Sequence, residues 1–169
     1  MARPGKLHRF FRHLATDQGG VRRAFPEAAL ARIETLIGEG EKRHRGQVRF
    51  SVEASLPLAR VLAGITPRER AIEAFSLLRI WDTEANDGVL LYVLVADHAV
   101  EIVADRGIHA LVGDAAWQTI CHKIQAAFGA GRFAEGVEQG INEISALLAQ
   151  HSPRSGPGRN EIADAPVVL

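Results

Sequence analysis

Apolar residues change period several times along this chain, and each change predicts an element. Leu30, Ile33 and Ile37 form one stripe within Pro26 to Glu39, with Pro26 suited to a first turn and Gly38 and Gly40 to an end, which predicts a helix. Gln47 to Ala54 alternates strictly. Val48, Phe50, Val52 and Ala54 face one way and Arg49, Ser51 and Glu53 the other, which predicts a strand with one wet face near a sheet edge. Leu56 to Ile65 fits neither period. Thr66, Pro67 and Glu69 read as a capping box with proline in the first turn, opening a helix with Ala71, Ile72, Phe75 and Leu78 inward.

Val89 to Val95 is apolar on both faces, as a central strand covered by helices should be. The reversal near Ala96 and Asp97 is too short for anything but an antiparallel return through Ala99 to Ala104. A helix then opens at Asp114, read as its N-cap, with Trp117, Ile120, Cys121, Ile124 and Phe128 along its buried face. Another runs from Arg132 to about Gln150 with Phe133, Val137, Ile141, Ile144 and Leu148 inward. Its Gly136 and Gly140 lie on one face and allow a neighbour to approach closely. Strand, crossover helix, strand and hairpin together predict an α/β fold, a three-layer α/β/α sandwich around a small mixed β-sheet.

The flanks differ in character. Residues 1–25 form a basic arm with Arg3, Lys6, Arg9, Arg12, Arg22 and Arg23 against Asp17 alone, and Leu7, Phe10, Phe11 and Leu14 fall at helical spacing within it. Residues 26–150 form the domain, and 151–169, rich in Pro, Gly and polar residues, read as a flexible tail. The formal net charge of zero hides an asymmetry, since residues 1–49 carry 11 basic and 5 acidic side chains and residues 50–150 carry 7 and 13. The arm therefore either docks on its own domain or attracts an anionic partner. No base-reading motif accompanies the charge, so nucleic acid is not an expected partner.

The longest apolar run, Gly88 to Ala96, is too short to cross a bilayer. The N-terminal stretch lacks the apolar core and cleavage site of an export signal, so the expected compartment is the cytoplasm, with a membrane periphery as an option for the arm. Cys121 is the single cysteine and reads as a buried, inert thiol. The seven histidines show no pair at metal-ligand spacing; His109 lies nearest the acidic residues and reads as a surface histidine. Trp81 and Trp117 are expected to cover the sheet.

The candidate chemistry is carboxylate chemistry. Asp82, Glu84, Asn86 and Asp87 precede the central strand, and folding the hairpin brings Asp105 level with Asp87. Asp114 can join from the next helix start. Crowded carboxylates raise one another's pKa, and a hard cation such as Ca²⁺ or Mg²⁺ relieves the repulsion. Asp82, Glu84, Asp87, Asp105 and Asp114 are therefore the candidate metal ligands. The spacing is not that of an EF-hand, because Asp87 stands where that loop needs glycine and Val93 where it needs a bidentate Glu. Solvated strand ends and helix caps are a strong alternative account of these residues.

The segments Asp87-Gly88-Val89-Leu90-Leu91, Asp105-Arg106-Gly107-Ile108 and Leu111-Val112-Gly113-Asp114 resemble the TPM domain family over roughly Pro26 to Leu148. Gly107 and Asp114 match well, while Asp82 to Asn86 replace a glycine-rich approach and Asp105 stands at a family glycine. The resemblance implies an α/β/α fold, a divalent-cation site in some members, and acid-phosphatase activity proposed for a chloroplast member. Other members are thought to assist membrane complexes without catalysis. Many members carry an export signal and a membrane helix, and neither is legible here, which suggests a cytoplasmic branch. The expected function is an accessory or interaction domain with a protein partner, membrane-associated or otherwise, and a divalent-cation site. The alternatives are a cation-dependent phosphatase, with Arg106 as a phosphate contact, and a cation-binding regulator without catalysis. No catalytic residue and no substrate can be named from the sequence.

Overall fold

The computed structural model describes residues 5–156 and 159–169; Arg3 of the basic arm and residues 157–158 of the tail lie outside them. The sheet is built from β1 (Gln47–Glu53), β2 (Gly88–Leu94), β3 (Ala99–Ala104) and β4 (Val167–Val168) in the order β3-β2-β1-β4. Strand β1 runs parallel to β2 and β4, and β3 returns antiparallel to β2. The crossover from β1 to β2 contains α4 (Leu58–Leu62) and α5 (Pro67–Leu77). The expected capping box is present: Thr66 Oγ1 accepts from the Glu69 amide, and the Glu69 carboxylate accepts from the Thr66 amide.

Each face of the sheet has its own core. On one face Val48, Phe50, Val52, Val89, Leu91 and Val93 pack against α3 (Glu27–Glu41), α7 (Asp114–Gly129) and α8 (Phe133–His151). On the other, Leu90, Tyr92 and Leu94 meet Leu56, Val61, Ala71, Ala74 and Phe75 of the crossover. Every residue of β2 is buried, as its two-sided apolar sequence requires. The three-layer α/β/α sandwich around a small mixed sheet is thus the observed architecture. Gly140 lets α8 lie against α7, because a Cβ there would overlap Ile124.

Several expectations are corrected. Strand β1 is internal, and its polar face is not wet, with Gln47 and Ser51 at 0% exposure. Polar partners cover it: Glu53 accepts from Arg70 Nε at 2.8 Å and from the Tyr92 hydroxyl at 2.7 Å. At the other end, Gln47 Oε1 accepts from the Glu161 and Ile162 amides at 2.7 and 2.9 Å. The described part of the expected flexible tail is therefore placed on the domain, with Val167 and Val168 paired to Ser51 and Val52. Alternation alone does not distinguish a solvated face from one covered by polar groups.

Gly38 and Gly40 do not end α3; a Cβ at Gly40 would overlap the Ser145 side chain of α8, so this glycine is a packing residue. Ile72 of α5 is 47% exposed, and Ala74 takes the inward position. Trp81 is half exposed, with the Arg79 guanidinium 5.9 Å from its ring, because α5 ends before it and Arg79 adopts a φ of 54°. Gly113 occupies the N-cap position of α7, and Asp114 is its first residue. A further helix, α6 (Arg106–Val112), follows β3 directly.

The basic arm is helical. After α1 (Lys6–Ala15) comes α2 (Gln18–Ala24), capped by the Asp17 carboxylate, which accepts from the Gly20 amide. Helix α1 is held by Asp97, in the 3-10 turn Val95–Asp97 between β2 and β3. Its carboxylate contacts Arg9 and Arg12, each at 2.9 Å, and His13 Nε2 at 3.2 Å. His13 Nδ1 accepts from the Leu56 amide, so Nε2 carries the proton and lies against the Asp97 carboxylate.

Burial raises the Asp97 pKa, but the His13 and Arg9 nitrogens beside it outweigh burial and hold the group down at about 2. A depressed carboxylate stabilises the fold above its unfolded pKa, and that stabilisation is lost as pH falls through the folded value. Asp97→Asn is expected to destabilise the protein by about 2 kcal/mol at neutral pH, because it leaves two half-buried guanidinium groups without their buried counter-charge. Urea unfolding of the two proteins at pH 7 measures this; equal midpoints would contradict it.

Candidate functional site

A cleft of about 780 Å³ opens beside the first residues of β1 and β2. Asp82, Glu84 and Asp87 line it from the loop before β2, Arg45 from the approach to β1, and Arg154, Arg159, Asn160 and Glu161 from the C-terminal segment. The loop is shaped by backbone bonds: the Asp87 amide donates to Thr83 Oγ1 at 3.1 Å, and Asn86 adopts a φ of 53°. The C-terminal wall is tied down by Gln47 and by Glu161, whose carboxylate accepts from the Glu84 amide at 3.0 Å. Its other end is fixed where the Arg45 amide donates to the Ser152 carbonyl at 2.9 Å and Arg154 Nε donates to the His44 carbonyl at 3.2 Å.

Asp87 is the distinctive member. Only 3% of it is exposed, Oδ1 has no hydrogen-bond partner among the described residues, and Oδ2 reaches only Ser152 Oγ, at 3.5 Å. Burial raises its pKa, Arg45 opposes that shift, and Glu161 adds to it. Asp82 and Glu84 are exposed, and Asp82 pairs with Arg79 at 2.6 Å. The hairpin register is as the sequence suggests, since the Asp105 amide donates to the Gly88 carbonyl at 2.8 Å. The side chains nevertheless part company. Asp105 caps α6 by accepting from the Arg106 amide at 2.7 Å, with Oδ2 buried and unpartnered.

Asp114 lines a separate depression with Arg68, Glu101, Trp117 and Cys121, and accepts a hydrogen bond from Gln118. The cleft thus gathers Asp82, Glu84 and Asp87 but not Asp105 or Asp114. No three His, Cys, Asp or Glu side chains converge as a ready-made metal cage among the described residues. His109 is exposed, and burial pushes the Cys121 thiol up to about 11, which suits an inert thiol.

The sequence reading missed the basic half of this site. Arg45, Arg154 and Arg159 come from segments without periodicity, and only the excess of cations over residues 1–49 pointed toward the first. It also missed two buried ionisable groups behind the cleft. Glu41 accepts from the Val48 amide at 2.9 Å, and burial lifts its pKa to about 7. His44 lies two residues from the start of the Gly46-Gln47 entry to β1, and burial lowers its pKa to about 4.

The sandwich with a carboxylate and arginine cleft at the leading ends of two parallel strands defines a class of small α/β domain. The chain belongs to the TPM domain family, whose pattern matches residues 21–147. Among solved structures, it is similar to the BA42 protein from the psychrophilic bacterium Bizionia argentinensis sp. nov., determined by NMR. The two share 28% identity with a TM-score of 0.76, over 86% of this chain and 95% of that one. No curated protein sequence matches the chain.

Glu41 and His44 titrate with opposite signs. A raised carboxylate stabilises the fold fully below its unfolded pKa, and this is lost as pH rises from about 4.5 through about 7. A lowered histidine stabilises above its unfolded value, and this is lost as pH falls from 6.5 toward about 4. The two slopes oppose one another through the window they share. Glu41→Gln is expected to leave the His44 slope exposed, so stability falls more steeply than wild type between pH 6.5 and 4.5. Chemical denaturation across that range reads the difference; parallel curves would contradict the assignment.

Proposed function

We propose that the cleft binds a phosphate-bearing anion together with a divalent cation, Mg²⁺ or Ca²⁺, and that this is the ligand site of the TPM domain. One observation carries the reading: a buried carboxylate, Asp87, lines the cleft with an oxygen left unpartnered. Burying an acceptor without a partner costs about 1–3 kcal/mol, more for a charged group, and a cation removes that penalty. Asp87 would hold the cation, with Asp82 and Glu84 from the same loop as further oxygen donors.

The cleft offers one buried and two exposed carboxylates, not a three-carboxylate cage, among the described residues, and this favours one kind of binding over another. Mg²⁺ is commonly held by one or two carboxylates plus phosphate oxygens and waters, not by an all-protein shell. Arg45, Arg154 and Arg159 border the same cleft and suit the phosphate oxygens, since guanidinium groups meet them with paired hydrogen bonds. A bound cation would neutralise phosphoryl charge and make a coordinated water more acidic. A binding module needs no more than this. The juxtaposition of arginines and carboxylates also favours hydrolysis of a phosphate monoester as a second reading.

Thermal unfolding with Mg²⁺, with inorganic phosphate and with both tests the proposal. The expected result is a larger rise in Tm with both ligands than the two separate rises together, abolished in Asp87→Asn. That variant should fold at least as well as wild type, because burial disfavours the Asp87 charge. No shift at millimolar ligand, or an unchanged shift in Asp87→Asn, would refute the site. Release of phosphate from a phosphomonoester by wild type alone would select the hydrolase; binding without release would select the module.

A further inference from the structure

Helix α1 is inverted relative to an ordinary surface helix. Such a helix buries its apolar stripe and turns its charges to water. Here Arg9, Arg12 and His13 face the domain and contact Asp97, while Leu7, Phe11 and Leu14 are 71%, 55% and 60% exposed. Steps of four and three residues put those three side chains on one stripe. The buried ionic cluster therefore fixes an apolar ridge outward.

The charge of the two N-terminal helices indicates what covers it. Lys6 is exposed at the flank of α1, and Arg22 and Arg23 are exposed on α2. None of the three has an ion-pair partner among the described residues. Asp17 is the one acidic residue of the first 25. A second copy seated on this ridge would bring like charges together, whereas an anionic surface would neutralise them. An outward ridge of Leu and Phe on a helical pair that also exposes Lys6, Arg22 and Arg23 suits the headgroup boundary of a bilayer, where apolar insertion and attraction to anionic lipid act together.

The geometry points to α1 as a lipid-docking helix that seats Leu7, Phe11 and Leu14 in the surface of an anionic membrane. Asp97 follows β2, and the cleft lies at its beginning, so the seven-residue strand separates them by about 20 Å. Docking by α1 leaves the cleft open to the aqueous phase.

Co-sedimentation of the full chain with phosphatidylcholine vesicles, plain or containing about one quarter phosphatidylserine, tests this. Wild type is expected to bind the anionic vesicles and to lose binding as salt rises. The double variant Phe11→Ser, Leu14→Ser is expected to bind at least about tenfold more weakly, with its near-UV circular dichroism unchanged because both side chains are exposed. Lys6→Glu should weaken anionic binding without changing the response to plain vesicles. The proposal is overturned by failure of wild type to sediment, or by equal binding of the double variant. A dimer in analytical ultracentrifugation that this variant dissolves, without vesicle binding, overturns it too and assigns the ridge to a second copy.

Discussion

A strand with polar side chains is costly to bury on both faces unless its charged and amide groups find partners, and β1 is such a strand, with only the small Ser51 hydroxyl left without one among the described residues. Its apolar side, through Val48, Phe50 and Val52, is bound into the core under α3 and α8. Its other side carries Gln47, Arg49, Ser51 and Glu53. The chain supplies Arg70 and Tyr92 for Glu53, and the segment before β4 for Gln47 and Arg49, the latter donating to the Ala163 carbonyl. The sheet gains a fourth strand this way, and the cleft gains a wall. Were Gln47 left to water, the wall that carries Glu161 and Arg159 beside Asp87 would lose two of the hydrogen bonds that hold it.

The two ends of β2 consequently have different chemistry. At its start, a carboxylate is buried with too few partners, and burial pushes its pKa up. Beyond its end, Asp97 has three nitrogen-bearing partners that draw its pKa down. Both carboxylates are flanked by arginine, yet only Asp97 is in contact with it. An over-satisfied carboxylate fastens structure, as α1 shows, whereas an under-satisfied one at the wall of a cleft has capacity left for a ligand.

Much of this was readable from residue patterns. The doubly apolar β2 and the short reversal at Ala96 gave the hairpin, because no other arrangement hides Val89 to Val95. Thr66 to Glu69 gave a helix start, since those atoms satisfy one another locally. Gly136 and Gly140 gave a close helix pair. Several failures share one cause, that the deciding partner is distant in sequence. Nothing near Gln47 announces that its amide meets Glu161, and nothing in the Pro- and Gly-rich stretch announces Arg154 at the cleft. Helices as short as α4 and α6 contain too few turns for a period to emerge. Within the acidic set, Asp82, Glu84 and Asp87 share a cleft because they share a loop, while Asp105 and Asp114 are drawn off by the helices that begin beside them.

The central claim is that the C-terminal segment is part of the domain because β1 requires it. Hydrogen exchange at the amides of Glu161, Ile162 and Leu169, which donate to Gln47 Oε1 and the Val52 carbonyl, tests it directly. The expected result is protection of all three that approaches that of the β2 amides and falls in Gln47→Ala at the first two. Exchange of all three at the rate of an unstructured peptide would contradict the account.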